Sequence, residues 1–232
     1  MRENIQIMKN LDYSPLYISV STGIVATIIS FFLGVYIAGK VYCSDRRFKA
    51  VIDGILTLPM VLPPTVCGYF LLLLVGAKRP LGMLLNTIGI RFVMSWYGAV
   101  LAAVVVSFPL MYRTARGAFE SFHETLAYFG KTIGLPDAYI FWRIRMPYCR
   151  QGILAGMILA FARALGEYGA TSMLVGYTPG RTATISTSVY QYWRTNDEKN
   201  AMLWVVVNLA ISAAVLLAVN LLEKRNRGEK LR

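Results

Sequence analysis

The chain has 232 residues, of which 56% are hydrophobic, and a mean hydropathy of +0.51. Ordinary soluble domains run at about 45–50% apolar, so this composition excludes a soluble globular fold. A net charge of +12 would suggest nucleic acid in a soluble protein, but here the charges fall between long apolar runs and speak of topology.

In chain order, a short polar leader precedes the first charge-free run, 16–39. A bilayer core needs about 20 apolar residues as helix. The run exceeds the apolar core of a signal peptide and reads as a retained span. The second run, 54–77, contains Leu62-Pro63-Pro64-Thr65. Two prolines remove two backbone donors and kink or break the helix. Broken helices at membrane depth are tolerated where they are buried in protein or line a cavity. Pro63, Pro64 and Thr65 therefore mark either a packing kink or part of a translocation pathway. Lys78 and Arg79 follow in 78–91, and the third run is 92–112.

The longest polar connection, 113–150, should carry its own structure or a function. One helix is expected from about Ala118 to Ile133, stopped by Gly134-Leu135-Pro136. A second is expected from Pro136-Asp137, presenting Tyr139, Ile140, Trp142, Ile144 and Met146 among arginines and ending at Pro147. It suits either an interfacial helix on anionic headgroups or a helix docking into a groove of a cytoplasmic partner.

The fourth span is expected over 151–175 and holds Arg163 and Glu167 in otherwise apolar sequence. Ionisable groups at membrane depth cost roughly 2.5–3.5 kcal/mol each on insertion scales, so they face a partner, a cavity or a pathway. Four residues apart on a helix, the two share a face and can pair. The pair is either a structural tie between helices or part of transport, with Thr171 and Ser172 beside it as candidate lining hydroxyls. Segment 177–195 holds Arg181, Arg194 and few aliphatics, which argues against a span there; the fifth span is 201–222.

The segments 40–53, 113–150 and 223–232 carry 4, 6 and 5 Lys or Arg, against 2, 3 and 3 in 1–15, 78–91 and 176–200. The positive-inside rule then places the N-terminus outside and the C-terminus in the cytoplasm. Lys78, Arg79 and Arg181 fall on the outer side, as plain surface charge or as groups that attract an anion or dock an outer partner. Cys43, Cys67 and Cys149 are odd in number and divided between cytoplasmic segments and a span, so no disulfide is expected. The single histidine, His123, excludes a His-based metal cluster and reads as a solvated loop residue. There is no clear internal repeat, and residues 1–232 are expected to form one transmembrane domain.

At 113–150 the chain resembles the permease subunits of type I ABC importers. Their signature runs E-A-A, three residues, G, nine residues, I-x-L-P. Gly134 is the glycine, and Ile144-Arg145-Met146-Pro147 is the end. The first triplet is Tyr128-Phe129-Gly130, which departs from the pattern and puts in question the contact made by the missing glutamate. Within that superfamily the molybdate permeases are similar at Leu58–Tyr69, at Ser107-Phe108-Pro109-Leu110, and at 161–171 continuing into Gly176–Thr182. The resemblance covers most of 16–222.

It implies an all-α transmembrane bundle with about five spans and a cytoplasmic coupling helix, drawing on Gly130, Gly134, Tyr139, Ile140, Trp142, Ile144, Met146 and Pro147. It implies a plasma-membrane homodimer that imports molybdate, possibly tungstate, by alternating access. Two cytoplasmic ABC ATPase subunits would bind ATP and Mg, and an extracytoplasmic binding protein would deliver the oxyanion. The same machine for sulfate, thiosulfate or another oxyanion is the alternative, and a membrane scaffold without transport is a remoter one. No cofactor or metal is expected in this chain. Gly130-Lys131-Thr132 has the end of a phosphate-binding loop, but Thr125 stands where that motif needs glycine. An intramembrane enzyme would need a nucleophile or metal cluster, and the spans offer one glutamate, one cysteine and no histidine.

Overall fold

The computed structural model describes residues 12–42 and 46–229, and the side chains of 12–42 and 49–217. Cys43 lies outside the described residues, whereas Cys67 and Cys149 are buried. The described residues form helices and no strand: α1 Ser14–Tyr42, α2 Arg46–Val61, α3 Pro64–Val75, α4 Pro80–Thr87, α5 Trp96–Glu120, α6 Glu124–Thr132, α7 Asp137–Leu165, α8 Gly169–Val175, α9 Ile185–Arg194 and α10 Glu198–Glu229.

Helices α1, α5 and Glu198–Leu217 of α10 are each long and apolar enough to cross a membrane. Two pairs qualify together, each bent at a short break: Lys49–Val61 with α3, and α7 with α8. The expected spans fall on these five, two of them broken. Segment 177–195 holds only the ten-residue α9, too short to cross.

The first break follows from chemistry. Helix α2 ends at Val61, Pro63 is extended at φ −54 and ψ 136, and α3 starts on Pro64. Proline disfavours helix in the residue before it and is suited to a first turn. The second break corrects an expectation, since 151–175 reads as one helix. Helix α7 stops at Leu165, residues 166–168 are non-helical, and α8 begins at Gly169. Glycines at 166 and 169 weaken helix, and the Glu167 carboxylate accepts the Ala170 N–H at 2.7 Å, satisfying an orphan donor of α8.

A second correction concerns Pro147, which does not end its helix; α7 runs on to Leu165. Ile140–Arg145 form a π-helical turn, with the Met146 N–H bonded to Phe141 O. That wider turn leaves room for the proline ring, which would clash with an α-helical carbonyl.

By internal packing the described residues divide into two units. The first comprises 12–25, 63–103 and 165–210; the second comprises 26–42, 46–62, 104–164 and 211–229. In the first, Asp12 caps α1 by accepting Ser14 N–H at 2.9 Å. Thr184 and Thr187 form a capping box on α9, and Ser19 of α1 accepts the Ile185 N–H at 2.8 Å. The core of the second unit is Val35, Ala38 and Val41 of α1, Met111, Tyr112, Ala115 and Phe119 of α5, Phe122 after it, Ala127 of α6, and Ile140, Cys149, Ile153 and Ala160 of α7. Small residues set its crossings. A Cβ at Gly34 would lie 2.9 Å from Met111 Cγ, and one at Gly152 would lie 2.8 Å from Ala118 Cβ. Ser30 and Ser107 share a buried hydrogen bond at 3.0 Å.

Candidate functional site

The first unit brings the two second halves of the broken spans together. A Cβ at Gly68 would lie 2.7 Å from Ala170 Cα, and one at Gly169 would lie 2.9 Å from Pro64 Cβ and 3.0 Å from Thr65 N. Helices α3 and α8 therefore cross backbone against backbone, as glycine faces allow in membranes. The contact buries Cys67, Leu71 and Val75 on one side and Ala170, Leu174 and Val175 on the other.

Pro63, Pro64, Thr65, Glu167, Thr171 and Ser172 thus belong to one neighbourhood. Pro63 and Thr65 are exposed and Pro64 is half-buried, while Glu167 and Thr171 are buried at 3% and 2% exposure. Ser172 Oγ donates to Gly169 O at 3.0 Å, within α8. Thr65 and Ser172 therefore keep hydroxyls near the surface of the break, and Thr171 is turned inward. Glu167 lies past the end of α7, and its carboxylate accepts from the first turn of α8. Arg163 is half-buried on α7, in the second unit. Lys78, Arg79 and Arg181 are exposed in the connections after α3 and after α8.

In the second unit, α6 and the start of α7 form a helix-turn-helix. Gly134 takes φ +82, and the Gly134 and Leu135 N–H groups donate to Lys131 O and Gly130 O at 2.9 and 3.0 Å. This left-handed closure is why glycine stands there. Lys131 Nζ meets Asp137 Oδ1 at 2.8 Å across the turn, and that carboxylate holds the ammonium above the ordinary lysine range. A Cβ at Gly130 would lie 3.1 Å from Ile140 Cγ1. Gly130 and Ile140 are therefore the internal seam of the motif, with Ile144 and Met146 half-buried beside it.

The exposed apolar surface of the motif is wider than the residues singled out in the sequence. It comprises Leu126, Tyr128, Phe129 and Ile133 of α6 and its end, joined by Tyr139 and Trp142 of α7; Phe129 is 66% and Ile133 75% exposed. Ala127 and Gly130 point inward. Of the residues singled out in the sequence, Gly134, Tyr139, Trp142 and Pro147 are exposed, Gly130 and Ile140 are buried, and Ile144 and Met146 are half-buried. The departure Tyr128-Phe129 places two aromatics on this exposed face.

Sequence reasoning missed a charged belt in the same unit. Asp53 of α2 accepts from Tyr112 Oη and Arg116 of α5. Arg116 also pairs with Glu120 at 3.0 Å, and Lys49 with Glu120 at 2.9 Å. Glu124 of α6 accepts from Tyr42 Oη and from Arg145 of α7 at 3.0 Å. The Arg145 guanidinium lies 4.7 Å from the centre of the Tyr42 ring and 5.0 Å from that of Phe122. The available signal was the spacing of Arg116 and Glu120, four residues apart at a span's end. Among the described residues, no three of His, Cys, Asp or Glu gather as a metal site.

Residues 15–228 match the family described as the binding-protein-dependent transport system inner membrane component. The chain belongs to that family. Among relatives, the molybdenum transport system permease protein ModB of Escherichia coli (strain K12) is 36% identical over 223 residues, 95% of this chain and 97% of its own. A probable sulfate transport system permease protein, cysT of Chlorokybus atmophyticus, is 29% identical over 92% of this chain and 75% of its own. Of solved structures, a bacterial ABC transporter for import of the acidic polysaccharide alginate superposes with a TM-score of 0.77 at 13% identity, over 97% of this chain and 83% of that one. At that identity the likeness speaks for the fold alone: this permease has the all-helical fold of ABC importer membrane subunits. It is a multi-pass protein of the inner membrane.

Proposed function

We propose that this permease is the membrane-spanning subunit of an ATP-driven importer for molybdate, possibly also tungstate. The observation that carries the reading is the 36% identity to a molybdenum transport permease along nearly the whole of both chains. The chain acts as one permease domain and pairs with a second copy to enclose the pathway. Two ABC ATPase subunits, which bind ATP and Mg, dock on its cytoplasmic side, and an extracytoplasmic binding protein delivers the oxyanion. The N-terminus lies outside and the C-terminus in the cytoplasm, by the distribution of Lys and Arg.

Two structural features support the mechanism. The exposed apolar face at Leu126, Tyr128, Phe129 and Ile133 is suited to a groove on an ATPase, with Gly134 and the Gly130–Ile140 seam keeping the motif rigid enough to transmit its movement. The α3–α8 crossing presents Thr65 and Ser172 at breaks in two spans, where non-helical backbone and hydroxyls can meet an anion without fixed negative charge. Glu167, already engaged with α8 and buried, is a structural carboxylate rather than a ligand. ATP-driven closure of the ATPase pair rocks the spans between outward and inward openings.

Reconstituting the permease with its ATPase and binding protein in liposomes tests the proposal. ATPase stimulation and uptake with molybdate or tungstate but not sulfate are expected. Stimulation by sulfate alone would overturn the substrate in favour of the reading that the sulfate-transport relative suggests.

A further inference from the structure

The second unit carries a groove of about 600 Å³. One wall is α1, with Phe31, Phe32, Val35, Tyr36, Gly39 and Lys40; the other is α7, with Phe141, Trp142 and Met146. Phe32, Tyr36 and Lys40 are four residues apart and form one ridge along α1. Phe32, Tyr36 and Trp142 are 67%, 64% and 63% exposed, so the groove is open along its length.

Its polarity is graded. Helix α1 has 29 residues, about 43 Å at 1.5 Å per residue, against a hydrocarbon core of about 30 Å. Lys40 in its last turn therefore sits at the membrane–water boundary, and Phe31 and Phe32, more than two turns back, lie at hydrocarbon depth. Trp142 and Tyr36 stand between them, as interfacial aromatics do. Lys40 makes no ion pair among the described residues; its ammonium lies 5.8 Å from the centre of the Tyr36 ring. Arg143, next to Trp142, is also exposed. An apolar channel ending in a cation at the boundary complements one kind of membrane molecule, an acyl chain bearing an anionic head.

We propose that this groove is a binding site for an acidic phospholipid, its acyl chain along Phe31–Tyr36 and Trp142 and its phosphate on Lys40. The site uses none of the residues proposed to line the translocation pathway, whichever ion the transporter carries.

The test uses the intact transporter, permease with its ATPase, in nanodiscs containing phosphatidylglycerol or phosphatidylcholine with the same photoreactive acyl chain. Labelled peptides are mapped by mass spectrometry. Adducts within 31–40 and 141–146 are expected with phosphatidylglycerol, competed by its unlabelled form. Lys40→Gln should lower them about fivefold, the factor for one basic group near an anionic surface, and Lys40→Arg should preserve them. Equal labelling by both lipids, or no change in Lys40→Gln, would overturn the proposal. So would absence of adducts accompanied by Phe32→Cys cross-linking between copies, which would make the occupant a second permease. If Lys40→Gln does not assemble, the wild-type competition decides on its own: failure of unlabelled phosphatidylglycerol to compete overturns the site.

Discussion

At the scale of single residues, three glycines separate two reasons for having no side chain from the absence of any. Gly68 is a matter of space: its Cβ would meet the Ala170 backbone, which has no flexible end to move. Gly68→Ala should cost about 1–3 kcal/mol as an overpacked contact, read as a lower melting temperature in detergent. Gly134 is a matter of conformation: nothing lies within 4 Å of its Cβ position, but φ is +82. Gly134→Ala should cost about 1–2 kcal/mol through the left-handed backbone alone. Gly54 has neither constraint, being exposed and clear of neighbours inside α2. Gly54→Ala should be stabilising by about 0.5–1 kcal/mol through backbone entropy. A wild-type melting temperature for Gly68→Ala would mean that α3 and α8 cross less closely than described. The charged belt yields to a different measurement. Asp53 and Arg116 are in direct contact with 20% and 23% of their side chains exposed. A double-mutant cycle of Asp53→Asn and Arg116→Gln should give a coupling of about 0.5–3 kcal/mol; additivity would reduce the pair to surface charge.

At the scale of elements, what could be read in advance was what composition and backbone chemistry dictate. Charge-free runs located the five candidate spans, and Pro63-Pro64 announced the first break because proline's missing donor and fixed φ act locally. Gly134 announced the end of α6 for the same reason. The break at 166–168 was hidden because the sequence around it stays apolar; a buried carboxylate bonding the backbone of the next helix looks, in one dimension, like a mid-helix charge. Helix α7 running through Pro147 was hidden because the π-helical turn that accommodates the ring has no composition signal. The exposed apolar residues of α6 were not legible in the sequence because which side of α6 faces out depends on the Gly130–Ile140 seam, a contact made by tertiary packing. That seam and that face predict opposite phenotypes. Ile140→Ala should destabilise the permease by about 2–5 kcal/mol, as a core truncation does. Phe129→Ala should leave its melting temperature unchanged and weaken ATPase capture by about 2 kcal/mol, as loss of an exposed aromatic anchor does. Binding of purified ATPase to immobilised permease in detergent separates the two, and normal capture by Phe129→Ala would move the coupling surface elsewhere.

For the whole molecule, the decisive quantity is which side each connection faces, because every functional surface is assigned to a side by it. The segments holding 40–53, α6 and the start of α7, and 223–232 carry the excess of Lys and Arg, and with five spans these three fall together on one face. Part of that charge is neutralised internally: Arg116, Arg145 and Lys49 are paired with Asp53, Glu124 and Glu120. The positive-inside bias acts on the chain during insertion, before those pairs exist, so they do not weaken the orientation argument. Single cysteines at Thr132 and at Asn86, in a background with Cys43, Cys67 and Cys149 replaced by serine or alanine, test it in intact cells. Thr132→Cys should react with a membrane-impermeant maleimide only after the membrane is opened, and Asn86→Cys should react from outside. The reverse pattern would place α6 outside, where no ATP-driven partner could reach Tyr128 and Phe129, and would remove the coupling role proposed for that face. Labelling of both sites from outside would break the five-span count itself, requiring that one of the two bent helix pairs re-enter its own side of the membrane instead of crossing.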